Sequence, residues 1–351
     1  MSNMSIPISL PVDNIRQALS SIAPLASWKT LALLLALINL KNLPLVWHIR
    51  LLHVFLRNIR WKPDAPFYPN GKSTTINGKP IHPVFASFGL STRTPLLESD
   101  YNLHKSNSTY FSDLDIARTA LATRILSPGV GILSKELDQE TIEKCRKEGK
   151  PVPKKLPWMY IAVGSVYCSF KREIKPFERV DIQSKAVAWD EKWLYVLSFY
   201  IRPAKKGGDG KKTLLATALT KYVVKKGRLT VPPERVLRTS GFLPPRPESA
   251  GEAPVLVESK DVSGMGTPAE GEGLKVTAGV DDSLVREVLK IDADQVPGRE
   301  TLEEQKKANS ESWSADEWTW ERIEQERLRG LKVVEGYSTL DVKLQQEWEY
   351  Q

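Results

Sequence analysis

The stretch SDYNLHKSNSTYFSDLDIAR, Ser99 to Arg118, holds both the start of a long helix and the densest set of chemically capable side chains in the chain. Asp100, Asn102 and His104 occupy alternate positions, so an extended segment would project all three to one side. From Asn107 onward, Tyr110, Leu114, Ala117, Leu121 and Ile125 recur at spacings of four, three, four and four, the period of one buried helical face. Ser106, Asn107 or Ser108 supplies the N-cap, and the helix is expected to run about five turns. A helix start offers backbone N–H groups without intrahelical partners and the positive end of the dipole, a place where a substrate carbonyl oxygen can take on charge. Asp113, Asp115 and Arg118 read as a solvated helix face with local ion pairs. His104 reads as the only histidine of the folded helix–strand core.

On the N-terminal side, Val84–Leu97 mixes β-branched and aromatic residues and reads as a strand. On the other side, a Lys- and Glu-rich insertion (137–157) leads into four strand-like runs: Trp158–Arg172, Glu178–Trp189, Lys192–Arg202 and Thr213–Val224. In the second run, Val180, Ile182, Ser184, Ala186 and Ala188 share one face, and Arg179, Asp181, Gln183 and Lys185 the other. KKGGDGKK, Lys205 to Lys212, is the expected hairpin connection between the last two. One strand, one long helix and four antiparallel strands make an α+β layout with the sheet wrapped around the helix.

Composition limits the chemistry. The 351 residues include 2 Cys and 4 His, too few for a disulfide framework or a multi-histidine metal site, so neither cofactor nor metal is expected. The formal net charge of +8 conceals an asymmetry: residues 241–351 hold 13 Lys and Arg against 24 Asp and Glu, and residues 1–240 hold 37 against 18. The basic half lacks any nucleic-acid-binding signature, so no nucleic-acid partner is expected. Its cations gather beside an apolar segment, Ser21–Leu40, in which Lys29 is the one charge, followed by the amphipathic stretch Leu43–Leu56. These read as a membrane-associated segment, spanning or interfacial, and the positive-inside rule puts the remainder in the cytosol. Three parts follow: a membrane-associated helical segment (1–62), a folded domain (63–245), and an acidic linker with a helical tail (246–351). In the tail, Asp282–Ile291 and Ala315–Val334 have helical periodicity, with Trp313, Trp318 and Trp320 as anchors.

D-x-N-x-H at Asp100, Asn102 and His104, followed by Asn107 and Tyr110, resembles the hotdog-fold acyl thioesterases, in which D-x-N-x-H-x-N-N-x-x-Y is typical. The whole chain, with an apolar N-terminus and an acidic Trp-containing tail, is similar to the fungal lcsJ-type thioesterase-like family found with secondary-metabolite pathways. FKRE, Phe170 to Glu173, is similar to the context of a glutamate in plant acyl-carrier-protein thioesterases. The resemblance implies hydrolysis of an acyl thioester carried by coenzyme A or a carrier protein, and a homodimer. It implies Asp100 or Glu173 as base or nucleophile, with Asn102 and His104 orienting water and substrate. The helix start at Asn107, Ser108 and Tyr110 would stabilise the oxyanion. Cys168, mid-strand with no base nearby, is not the expected nucleophile. Two alternatives stay open: an enoyl-thioester hydratase or dehydratase on the same fold, and a non-catalytic membrane-tethered acyl-binding protein.

Overall fold

The protein is described from a computed structural model, in which residues 27–59, 75–76, 79–152, 156–204, 210–248, 251, 257–258, 300, 303–304, 307, 310–311, 313–314 and 316–350 are placed. The expected Asp282–Ile291 helix, residues 21–26 of the apolar segment and most of the Lys205–Lys212 connection lie outside them.

Two helices open the described chain, α1 (Trp28–Ile38) and α2 (Val46–Asn58), joined by a 3-10 turn at Leu40–Asn42. A short ribbon, β1 (Thr75–Ile76) with β2 (Lys79–Pro80), precedes β3 (Phe88–Arg93) and the long helix α3 (Asn107–Lys147). Next come β4 (Met159–Phe170), β5 (Arg179–Trp189), β6 (Trp193–Arg202), β7 (Thr213–Lys226) and β8 (Leu229–Val231). The short helix α4 (Pro233–Thr239), β9 (Val257–Glu258) and the tail helix α5 (Trp320–Tyr350) complete the order. The sheet is antiparallel throughout and runs β3-β5-β6-β7-β4, with β8 and β9 extending it beyond the end of β7.

The helix periodicity predicts the core correctly. Leu114, Ala117, Leu121 and Ile125 are fully buried against the inner sheet face, where Val180, Ile182, Ala186, Val196 and Val224 meet them. Burial of such a stripe contributes about 1.5–3 kcal/mol per large side chain. The α+β, hotdog-type arrangement of one central helix inside a curled antiparallel sheet is therefore present.

Three local expectations are corrected. The helix does not stop near Ile125 but continues to Lys147, through Pro128 and most of the Lys- and Glu-rich insertion. Here tertiary packing overrides the breaker: Leu126, Ile132, Leu133 and Leu137 are buried, and Gly129 lies so close to Val236 and Ser240 around α4 that no Cβ would fit. The Val84–Leu97 run is strand only over Phe88–Arg93, with 3-10 turns on both sides, because Pro83 and Pro95 cannot join a ladder. The tail helix begins at Trp320 rather than Ala315 and extends past Val334 to Tyr350. It crosses the outer sheet face, with Gly330 pressed on the Val187 backbone and the Tyr337 hydroxyl 2.9 Å from Ser165 Oγ on β4.

The amphipathic stretch around α2 packs on the long helix: Trp47, Leu51 and Val54 meet Ile116 and Ala120. Its other face, Ile49, Leu52 and Leu56, is exposed, as are Trp28, Leu31, Leu34 and Leu37 of α1. Among the described residues, no helix is long and apolar enough to cross a membrane.

Candidate active site

The turn before α3 is not extended. The Asp100 N–H donates to the His104 carbonyl at 2.9 Å, the Leu103 N–H donates back to the Asp100 carbonyl at 3.0 Å, and Leu103 sits at φ 60°. Asp100 Oδ1 accepts the Asn102 N–H at 2.9 Å. This side-chain turn, a habit of aspartate, folds the segment into a loop closed by the Ser99–Lys105 bridge. The alternation argument therefore fails for Asn102, whose side chain is exposed at the loop tip between the exposed Tyr101 and Leu103.

Asp100 and His104 nevertheless meet, through the turn rather than through an extended strand. Asp100 Oδ1 lies 3.4 Å from His104 Nδ1, and Glu173 Oε2 lies 3.9 Å from His104 Nε2 on the other side of the ring. The side chains are 26%, 31% and 58% exposed in the order Asp100, His104, Glu173, so solvent and substrate can reach them. Glu173 is brought there because the Lys105 N–H donates to the Ile174 carbonyl at 2.8 Å, which tethers the segment after β4 to the residue following His104.

The helix start lies directly beyond. Asn107 is the first helical residue, and the N-cap Ser106 makes no side-chain cap bond; its Oγ is instead 3.1 Å from Ser108 Oγ. The amide of Ser108 thus lacks the usual cap acceptor, and that of Asn107, first in the helix, has no intrahelical partner. Tyr110 forms an apolar wall behind them, with its ring 4.9 Å from Phe170 and 5.1 Å from Tyr200. Burial, with Cys168 and Glu178 nearby, pushes its hydroxyl up to about 12, so it remains a neutral phenol. Burial likewise pushes the Cys168 thiol up to about 11, which opposes a thiolate role.

Beneath the turn is a buried charge cluster absent from the sequence reading. Lys105 Nζ bonds Glu98 Oε2 and stands 3.1 Å from Asp113 Oδ2; Lys41 Nζ is 2.8 Å from Glu98 Oε1 and 2.7 Å from Asp113 Oδ2; Arg50 is 3.4 Å from Asp113 Oδ1. Asp113 is fully buried, not part of a solvated face. Burial alone would raise its carboxyl, but Lys105 and Lys41, the hydrogen bond from Lys41, and Arg50 together hold it below the usual carboxylate value. A signal was available: Asp113 falls three residues after Tyr110 and directly before Leu114, on the buried stripe. Asp115 and Arg118 do pair with each other, but half-buried rather than on a solvated face, with Arg118 also 3.4 Å from Thr220 Oγ1 on β7.

Among the described residues, no group of three or more His, Cys, Asp or Glu side chains is disposed to hold a metal ion.

A helix start, an adjacent carboxylate–imidazole pair and a helix-wrapping sheet define a class, and comparison with known proteins gives the same one. The profile of the Thioesterase-like superfamily matches residues 95–239, which span this site and most of the sheet. The narrower match is over nearly the whole chain: thioesterase lcsJ of Purpureocillium lilacinum is 35% identical over 342 residues, 92% of this chain and 93% of that protein. The chain belongs to this thioesterase-like family. The probable thioesterase atnL of Emericella nidulans is 38% identical over 230 residues, 62% of this chain and 72% of that one. Thioesterase poxG of Penicillium oxalicum is 37% identical over 233 residues, 62% and 71% of the two chains. A crystal structure of a probable thioesterase from Bartonella henselae covers 40% of this chain and 93% of its own at 12% identity, with a TM-score of 0.26, too loose an overlap to carry an argument.

Proposed function

We propose that the protein hydrolyses acyl thioesters at the site formed by Asp100, His104, Glu173 and the amino end of α3. The observation that carries this is the imidazole of His104 held between two carboxylates, 3.4 Å from Asp100 and 3.9 Å from Glu173, beside uncapped helix amides. With the Asp100 carboxylate 3.4 Å from Nδ1, the tautomer protonated at Nδ1 is favoured, which leaves Nε2 as an acceptor facing Glu173. A water near Nε2 and Glu173 gives up a proton to one of them as its oxygen attacks the thioester carbonyl carbon. The carbonyl oxygen becomes an oxyanion against the amides of Asn107 and Ser108. Collapse breaks the C–S bond, and the departing thiolate recovers the proton, giving carboxylic acid and free thiol.

Coenzyme A or a phosphopantetheinyl carrier supplies that thiol, and the resemblance to the lcsJ-type family favours a role in a fungal secondary-metabolite pathway. Residues 63–245 form the catalytic unit in this reading, with 1–62 and 246–351 as flanking parts. A homodimer is favoured by β4, which has no neighbour on its outer edge among the described residues and ends beside the site. The exposed apolar faces of α1 and α2, flanked by Lys29 and Arg57, favour a seat on a membrane surface with the catalytic unit in the cytosol.

The deciding measurement is thiol release from short-, medium- and long-chain acyl-CoA by the full chain beside Asp100→Asn, His104→Ala and Glu173→Gln. Loss of kcat by about 100-fold or more is expected for the first two and about tenfold or more for Glu173→Gln. Thiol release unchanged in Asp100→Asn and His104→Ala would sink the assignment. Consumption of an enoyl-thioester without thiol release would transfer the site to hydratase chemistry.

A further inference from the structure

The loop that carries Asp100 and His104 is held from behind by two residues of the N-terminal segment. Lys41, in the 3-10 turn between α1 and α2, directs its ammonium at three places: the Arg93 carbonyl at the end of β3 (3.1 Å), Glu98 at the base of the loop (2.8 Å) and Asp113 on α3 (2.7 Å). An ammonium has three donors, and here each has its own acceptor on a different element. Asn39, buried two residues earlier, accepts the Leu97 N–H on Oδ1 at 2.7 Å while its Nδ2 donates to the Leu35 carbonyl.

Both anchors act at residues 97–98, where the loop closes. The Glu98 carbonyl accepts the Ser106 N–H at 2.7 Å, and the Glu98 carboxylate binds Lys105, the neighbour of His104. Lys105 in turn bonds Ile174, the neighbour of Glu173. A continuous set of short bonds therefore runs from Lys41 to all three groups of the proposed site. Three cations, Lys41, Lys105 and the more exposed Arg50, face two carboxylates, Glu98 and Asp113, and of the three only Lys41 also reaches a backbone carbonyl on β3. Burial pulls its pKa below the ordinary lysine value, against the pull of Asp113. Keeping this charge out of water costs stability, which is expected where the geometry it imposes is what matters.

We infer that Lys41, seated by Asn39, is a positioning residue for thioester hydrolysis. It fixes the base of the Asp100–His104 loop against α3 and β3 and so sets the alignment of Asp100, His104 and Glu173. The inference rests on the site reading above. It also makes the N-terminal turn a working part of the catalytic unit rather than a tether.

The test uses the full chain in a Cys145→Ser, Cys168→Ser background. Lys41→Cys should lower kcat about 10- to 100-fold with KM changed less than about threefold, because misplacing reacting groups by about 1 Å is that costly. Alkylation with 2-bromoethylamine, which restores an ammonium at the same reach, should return kcat to within about threefold, whereas iodoacetamide, which leaves a neutral amide, should not. A merely structural lysine would show its loss in the folded fraction on thermal melting, and kcat per folded molecule would stay constant. Asn39→Ala keeps every charge and carries the test if Lys41→Cys does not fold; a drop in kcat of about threefold or more is expected. Folded Lys41 or Asn39 variants with wild-type kcat, while Asp100→Asn and His104→Ala are inactive, would overturn the inference. Active Asp100→Asn and His104→Ala would instead overturn the site itself.

Discussion

Two regions along the long helix bury ionisable groups, and they do so in opposite ways. At its amino end Lys41, Lys105, Glu98 and Asp113 are withdrawn from water as charges, each within 3.1 Å of an opposite partner. Alongside its middle, His82 is fully buried with no charged partner among the described residues: its ring lies 4.9 Å from Trp313, 5.3 Å from Trp318 and 6.1 Å from Phe85. Desolvation drives its pKa down to about 3, so it is held as a neutral ring whose Nδ1 accepts the Val84 N–H. The first region keeps charge because oriented donors and acceptors fix the geometry of a loop. The second closes the core under the tail, where any charge would be a pure loss.

The contrast is broken most forcefully at Asp113. Asp113→Ala leaves Lys41, Lys105 and Arg50 facing Glu98 alone, and such uncompensated buried charge should cost about 3–5 kcal/mol in urea unfolding at neutral pH. A loss below about 1 kcal/mol would mean that the cluster is hydrated and that its partners do not depend on one another.

His82 gives a smaller effect with a defined sign. Its folded pKa lies below its unfolded value of 6.5, so between these the unfolded chain binds more protons and stability falls as pH falls. Lowering the pH from 6.5 to 5 should cost about 2 kcal/mol from this group, at about 1.4 kcal/mol per unit. Comparing urea midpoints over that range for wild type and His82→Leu isolates the contribution: the slope should flatten in the variant. Equal slopes would show that His82 does not titrate on unfolding as its surroundings require.

Both regions also show what could be read in advance. The apolar spacing of Tyr110, Leu114, Ala117 and Leu121 marks the buried helical face because burial of a helix depends on period alone. The strand alternation at Val180–Ala188 is legible for the same reason, up to the irregularity between Ala186 and Ala188, where the tail helix also covers Val187. Asp100 and His104 were legible as a local motif, although the turn that joins them depends on a left-handed Leu103 that no apolar pattern encodes. Apart from Asp113, whose place on the buried stripe marks it, the charge cluster and the His82 cage were not legible. Lys41 meets Arg93, Glu98 and Asp113 at separations of 52, 57 and 72 residues, and His82 meets Trp313 and Trp318 from the far end of the chain, so neither carries a local trace of burial.

The smallest effect concerns the helix start itself. An N-cap serine ordinarily accepts an amide bond, as Ser27 does from Thr30 at 3.2 Å, but Ser106 does not. Ser106→Ala should therefore cost less than about 0.5 kcal/mol, whereas Ser27→Ala should cost about 0.5–1 kcal/mol. Ser106→Asp places an acceptor and a negative charge over the free amides, and both the cap and the helix dipole favour it by about 1 kcal/mol in thermal unfolding. If those amides hold the oxyanion, the same carboxylate occupies them, and thiol release should fall by about tenfold or more as stability rises. A gain in stability with undiminished turnover would separate the helix start from the chemistry and leave the oxyanion to other donors around His104.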